Sequence, residues 1–112
     1  KKEEKLEAIT HLLGGMVEKD EAKMERAMAK EGHLIHMNGL KESREEYIRD
    51  ILDGTLNYYE YEIISLEGDS LTVRLLAKVY GGSKSWWNLR MDMEFIMEEG
   101  RCLIHDCKVR MA

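Results

Sequence analysis

The spacing of apolar positions changes once along the chain and divides it into a helical front and a strand-rich remainder. In the first third, Leu6, Ile9, Leu12, Leu13, Met16 and Val17 recur at helical intervals with Lys and Glu between them. That stripe predicts an amphipathic helix. Gly14-Gly15 falls inside it and costs helix stability, so a bend or a close packing contact is expected there. Asp20 is placed to cap a second, shorter helix whose apolar face is Met24, Ala27 and Met28. The stretch "GHLIHMNG", Gly32 to Gly39, then reads as a short strand. "SREE" has the form of a capping box, with Ser43 as N-cap and Glu46 reaching back. It predicts a third helix with Tyr47, Ile48, Ile51 and Leu52 as its apolar stripe and Gly54 ending it.

Beyond Gly54 the period becomes two. "NYYEYEIISLEGDSLTVRLLAKVYGG" gives two strands joined at "EGDS", where Gly68 supplies a positive φ. Leu71, Val73, Leu75, Ala77 and Val79 alternate on one face. In "SWWNLRMDMEFIM" the residues Trp87, Leu89, Met91, Met93, Phe95 and Met97 take one face, and Asn88, Arg90, Asp92 and Glu94 the other. "EEGR" is a tight turn and "CLIHDCKVRM" the last strand. The predicted order is α-α-β-α-β-β-β-β, a single α+β domain over residues 1–112 with helices segregated from a long antiparallel sheet.

Charge narrows the partners. The net charge is −5 and acids and bases alternate along the chain, without a basic stripe or interleaved aromatics. Nucleic acid is therefore not an expected partner. No apolar run approaches the ~18 residues that cross a bilayer, and membrane insertion is not expected either. The chain opens on Lys1 rather than Met, so the lack of a visible targeting segment carries little weight. Cys102 and Cys107 on one strand stand roughly 16 Å apart at about 3.3 Å per residue, beyond bridging distance. They read as free thiols of a reducing compartment, and a cytoplasmic location is the expectation.

Candidate chemistry centres on His33 and His36. Residues three apart on a strand point to opposite faces, so the two imidazoles diverge and do not form a metal site. By the same alternation His105 and Cys107 share a face and Cys102 takes the other. No metal and no cofactor are expected. "GG" at Gly81-Gly82 lacks the strand-Gly-helix context of a phosphate loop and reads as a turn or bulge.

The element order, together with "MVEKDEAKMERAMAKEGHLIHMNG", "SREEYIRDILDGTLNYY" and "GDSLTV…VYGG…WWNLRMDMEFIMEEGR", resembles the nuclear transport factor 2-like superfamily, which also holds SnoaL-like and ketosteroid isomerase-like proteins. The resemblance spans nearly the whole chain. It implies a cone in which a curved antiparallel sheet wraps the first helix and leaves an apolar pocket at the open end. It also implies a homodimer through the outer sheet face, where Trp86, Leu76 and Ile96 are expected. His36 corresponds to the place of the isomerases' catalytic aspartate and is the candidate general base. Their helix tyrosine corresponds to Leu12, which has no proton to donate. Their sheet aspartate falls by counting on Asp92, whose strand face is polar, with Met91 and Met93 on the apolar one, so steroid isomerisation is not expected.

The expected pocket lining is Leu12, Leu34, His36, Asn38, Tyr58, Trp87, Met91 and Met93, with Leu34 deep, Asn38 nearer solvent and His33 pointing outward. Three functions follow from these residues. The first is a binding domain for a small apolar or aromatic molecule. The others are an isomerase-, cyclase- or SnoaL-type enzyme using His36, and a dimerisation or protein-interaction domain whose interior its own Met and Trp side chains fill. The fold by itself does not choose among them.

Overall fold

The computed structural model describes residues 1–112. Helix α1 (Lys2–Glu18) and helix α2 (Glu21–Ala27) precede strand β1 (Met28–Ile35). A three-residue strand β2 (Lys41–Ser43) leads into helix α3 (Arg44–Leu52). Four long strands complete the chain: β3 (Leu56–Glu67), β4 (Ser70–Val79), β5 (Ser85–Glu98) and β6 (Arg101–Met111). They form one six-stranded sheet in the order β2-β1-β6-β5-β4-β3. Every pairing is antiparallel except β1 with β6, which is parallel. No helix is long and apolar enough to cross a membrane.

The local signals act where the sequence puts them. Asp20 accepts a hydrogen bond from the Lys23 amide at 3.1 Å and caps α2. Ser43 and Glu46 form the reciprocal capping box at the start of α3. Gly68 turns β3 into β4 at φ 62°. Helix α1 passes through Gly14-Gly15 unbroken. A Cβ on Gly15 would stand 2.6 Å from the Met24 Cγ, so the glycine is needed for the close approach of α2 rather than for a bend.

The core lies between α1 and the concave sheet face. Ile9, Leu12, Leu13 and Met16 meet Leu71, Val73, Leu89, Met91, Met93 and Ile104, all nearly inaccessible. Burying each such side chain contributes about 1.5–3 kcal/mol, so this layer holds the cone together.

Five expectations change. Leu52, assigned to the apolar stripe of α3, is 44% exposed at the end of that helix. Strand β2 was not anticipated; "KES" is too short to show a period. Met28 begins β1 rather than ending α2. Met97 sits beside the β5–β6 turn, past the end of the core, and is exposed. The alternation in β6 breaks at a bulge: Glu94 pairs Asp106 and Phe95 pairs Ile104, leaving His105 as the extra residue. Cys107 therefore points into the core while His105 points outward, where alternation had put them on one face. On the outer face, Trp86 is 42% exposed with the Arg74 guanidinium 4.5 Å over its ring, whereas Leu76, its cross-strand partner, is largely covered.

Candidate functional site

At the open end of the cone the core gives way to a cavity of about 210 Å³. Alternate residues of β4 (Leu75, Ala77, Val79) and β5 (Trp87, Leu89, Met91) form its apolar wall, with Leu34, Leu56 and Val109. The period-two pattern of these strands is what directs them inward. Their polar counterparts face out. Asp92 accepts hydrogen bonds from Ser70 and Arg110 on the outer surface, and these hold its carboxyl below the usual range. An ionised Asp92 on the far face cannot act as the protonated acid of an isomerase site.

The polar end of the cavity is built by the β1–β2 hairpin. Strand β1 ends at Ile35, and the chain turns back through a loop in which the His36 amide donates to the Leu40 carbonyl at 2.8 Å and the Gly39 amide to the His36 carbonyl at 2.9 Å. Asn38 fixes this loop by accepting from the Leu40 amide at 2.9 Å, and Gly39 takes the positive φ of 90° that it requires. The register sets Leu34 directly across from Glu42. His36, two residues beyond Leu34, therefore becomes a diagonal neighbour of Glu42 on the same face. Its Nε2 lies 2.5 Å from Glu42 Oε1.

Both partners are well covered, with side chains 16% and 10% exposed. Burial pushes the Glu42 carboxyl upward and the neighbouring Asp50 carboxyl of α3 adds to this, while the imidazole opposes it. With Nε2 engaged by Glu42, His36 has one ring nitrogen, Nδ1, left for a bound molecule.

Two phenols complete the polar end. Tyr47 of α3 stacks edge-on against His36, ring centroids 5.9 Å apart, and its hydroxyl donates to the Tyr58 hydroxyl at 3.1 Å. Burial pushes Tyr58 up to about 12 and Tyr47 well above its ordinary value. Both remain neutral hydrogen-bonding groups at physiological pH. Tyr80, at φ 52° in the turn after β4, stands at the mouth. The arrangement offers an apolar slot with one basic nitrogen and the Tyr58 hydroxyl at its wet end, the Tyr47 hydroxyl being buried behind it.

Of the expected lining, Leu34, His36, Asn38, Tyr58, Trp87 and Met91 border this cavity. Leu12 and Met93 do not; both lie deeper, packed in the α1–sheet core. The reason is depth: α1 fills the narrow end of the cone, so only the outer half of each strand reaches free space. His36 and Asn38 sit in the loop beyond β1 rather than on the strand itself, and His33 points to the outer face near Asp106. Glu42 and Asp50 escaped the sequence reading, which gave Tyr47 to the apolar stripe of α3 and left open which tyrosines line the pocket. The one signal near Glu42 was Asn38-Gly39, a turn pair that marks a reversal of the chain after β1 without giving the register of the strand that follows.

No protein-family model matches the sequence, and no curated protein matches it. Solved structures do. An NTF2-like protein from Cytophaga hutchinsonii superposes with a TM-score of 0.68 at 15% identity, over 96% of this chain and 94% of the other. An NTF2-like protein of unknown function in nutrient uptake from Rhodospirillum rubrum gives 0.66 at 15% identity, over 94% and 95%. A third, from Shewanella baltica, also NTF2-like and of unknown function, gives 0.63 at 10% identity, over 98% and 92%. At these identities the likeness concerns the fold.

Proposed function

We propose that this chain, which has the nuclear transport factor 2-like fold, is a binding domain for a small, mostly apolar or aromatic molecule carrying one hydrogen-bonding group. The observation that carries this reading is the cavity's division into an apolar wall and a single polar end at His36, Glu42, Tyr47 and Tyr58. Pockets of this kind take orientation from a few polar groups and affinity from apolar contact. The space, about 210 Å³, is below the usual range for drug-sized ligands and suits a molecule of one or two rings. It also argues against an interior filled by its own side chains.

The His36–Glu42 pair favours a second reading, in which His36 is a general base. A buried carboxylate that holds one imidazole nitrogen orients the ring and supports the positive charge it gains on taking a proton. Assembly completes the proposal: a homodimer through the outer sheet face, where Trp86 and Ile64 are large, apolar and exposed.

Titration with p-cresol, indole and cyclohexanone, read by amide chemical shifts and by fluorescence of the cavity-lining Trp87, tests the binding reading. Shifts are expected at Leu75, Trp87 and Met91. Ala77→Leu should block them, and His36→Ala should weaken binding by more than about 1 kcal/mol, the scale of one hydrogen bond. His11→Ala, on the far side of the molecule, should leave binding unchanged. Probes that shift no cavity residue, or bind Ala77→Leu as well as the native chain, would refute it. Deuterium exchange at the α-carbons of cyclohexanone that is faster with the native chain than with His36→Ala is the result the general-base reading expects.

A further inference from the structure

The bulge in β6 has a chemical consequence on the outer face, away from the cavity. Because His105 is the extra residue, His105 and Asp106 lie side by side there instead of on opposite faces, and Glu94 of β5 stands across from them. His105 Nδ1 is 3.3 Å from Asp106 Oδ1 and 3.4 Å from Glu94 Oε1. Neither His105 Nδ1 nor Asp106 Oδ1 is accessible to solvent, and neither has a hydrogen-bond partner. Two adjacent polar atoms are thus shut off from water and unpaired, although the side chains that carry them are 30% and 34% exposed, and a polar atom so placed is unfavourable unless something satisfies it.

The distances say what would satisfy them. They exceed the 2.7–3.2 Å of an ordinary N–H···O bond. They match the edge of a tetrahedron around an ion with bonds of about 2.1 Å, which is roughly 3.4 Å. All three donor atoms lie within 4.8 Å of one another. A fourth group is near: His33 Nδ1 is 3.7 Å from Asp106 Oδ1.

We propose that Glu94, His105 and Asp106 form a site for a divalent cation of the zinc class, with the fourth position open to water or to His33. One imidazole and two carboxylates are a borderline donor set that suits Zn²⁺ better than the all-oxygen cages of Ca²⁺ or Mg²⁺. The backbone is shaped for it. Strand β1 passes the bulge at Gly32, where a Cβ would stand 2.5 Å from the His105 carbonyl oxygen and 3.0 Å from that of Ala29. Only glycine lets β1 approach the bulge closely enough to bring His33 alongside. The absence of metal expected from the sequence rested on His33 with His36, and on Cys102, His105 and Cys107. The structure disperses both of those sets and assembles a different one.

Calorimetric titration of metal-free protein with ZnCl₂, and visible spectra on adding CoCl₂, test the site. The expected result is one ion per chain and the strong absorption of tetrahedral Co²⁺. His105→Gln and Asp106→Asn should each weaken binding by more than about tenfold, the range that even outer-shell partners of a metal reach. His33→Ala should weaken it less than His105→Gln, and His11→Ala should leave it unchanged. Glu94→Gln, at a side chain 66% exposed, carries the test should either β6 variant fail to fold. Failure to bind Zn²⁺, binding undiminished in the folded variants, or a larger loss at His33 than at His105 would overturn the proposal.

Discussion

The two phenols at the cavity's polar end make a sharp energetic test, because their hydrogen bond is the same from both sides while their surroundings differ. Tyr47 is 1% exposed and its hydroxyl has Tyr58 as its partner, at 3.1 Å. Tyr58 is half-buried and borders the cavity. Tyr47→Phe keeps the ring packed against His36 and leaves the Tyr58 hydroxyl beside free space, where water can replace the lost bond. The cost is one net hydrogen bond, about 1 kcal/mol. Tyr58→Phe instead strands the Tyr47 hydroxyl inside the core, and an unsatisfied buried group costs about 2 kcal/mol. Removing both leaves nothing unpaired, so the double variant should lose no more than about 1 kcal/mol.

For 112 residues, an unfolding entropy near 2.1 cal/mol/K per residue means that about 1 kcal/mol moves Tm by about 4 °C. The expected shifts are therefore about 4 °C for Tyr47→Phe, about 8 °C for Tyr58→Phe and at most about 4 °C for the double. Differential scanning calorimetry with urea melts measures them, and the coupling energy follows from the cycle. Additive losses, or Tyr47→Phe costing more than Tyr58→Phe, would show that the hydroxyls do not depend on one another as their geometry requires.

Two further outcomes are expected. Burial pushes the Cys107 thiol up to about 12, so it stays neutral and unreactive at about pH 8, whereas Cys102 is partly exposed; a disulfide reagent should titrate one thiol quickly and the second only on unfolding, and two fast thiols would contradict the core position of Cys107. Light scattering at micromolar concentration should give twice the chain mass of 13.1 kDa if the proposed dimer has the area of an obligate interface, about 2,000 Å², which would persist at that dilution; a monomer would rule the proposed homodimer out.

Local and periodic features of this protein were determined by the sequence alone. The Ser43–Glu46 box starts α3 because its hydrogen bonds close within four residues. The inward set Leu75, Ala77, Trp87, Leu89 and Met91 follows from strand alternation, and with it the apolar wall of the cavity. His36 was legible as a candidate through the resemblance to the isomerases, whose catalytic aspartate its position matches, and strand phase then put it on the face of Leu34. Three things needed the tertiary structure. How far α1 fills the cone decides that Leu12 and Met93 are core while Tyr58 and Trp87 reach free space; depth in the cone is set by packing, not by period. The β1–β2 register decides that Glu42 meets His36, and a three-residue strand carries too few positions to announce its pairing. One extra residue, His105, reverses the phase of β6 from that point on. A strand's facing depends on counting residues in twos, so a bulge invisible in the sequence is enough to part His105 from Cys107 and bring it beside Asp106 and Glu94.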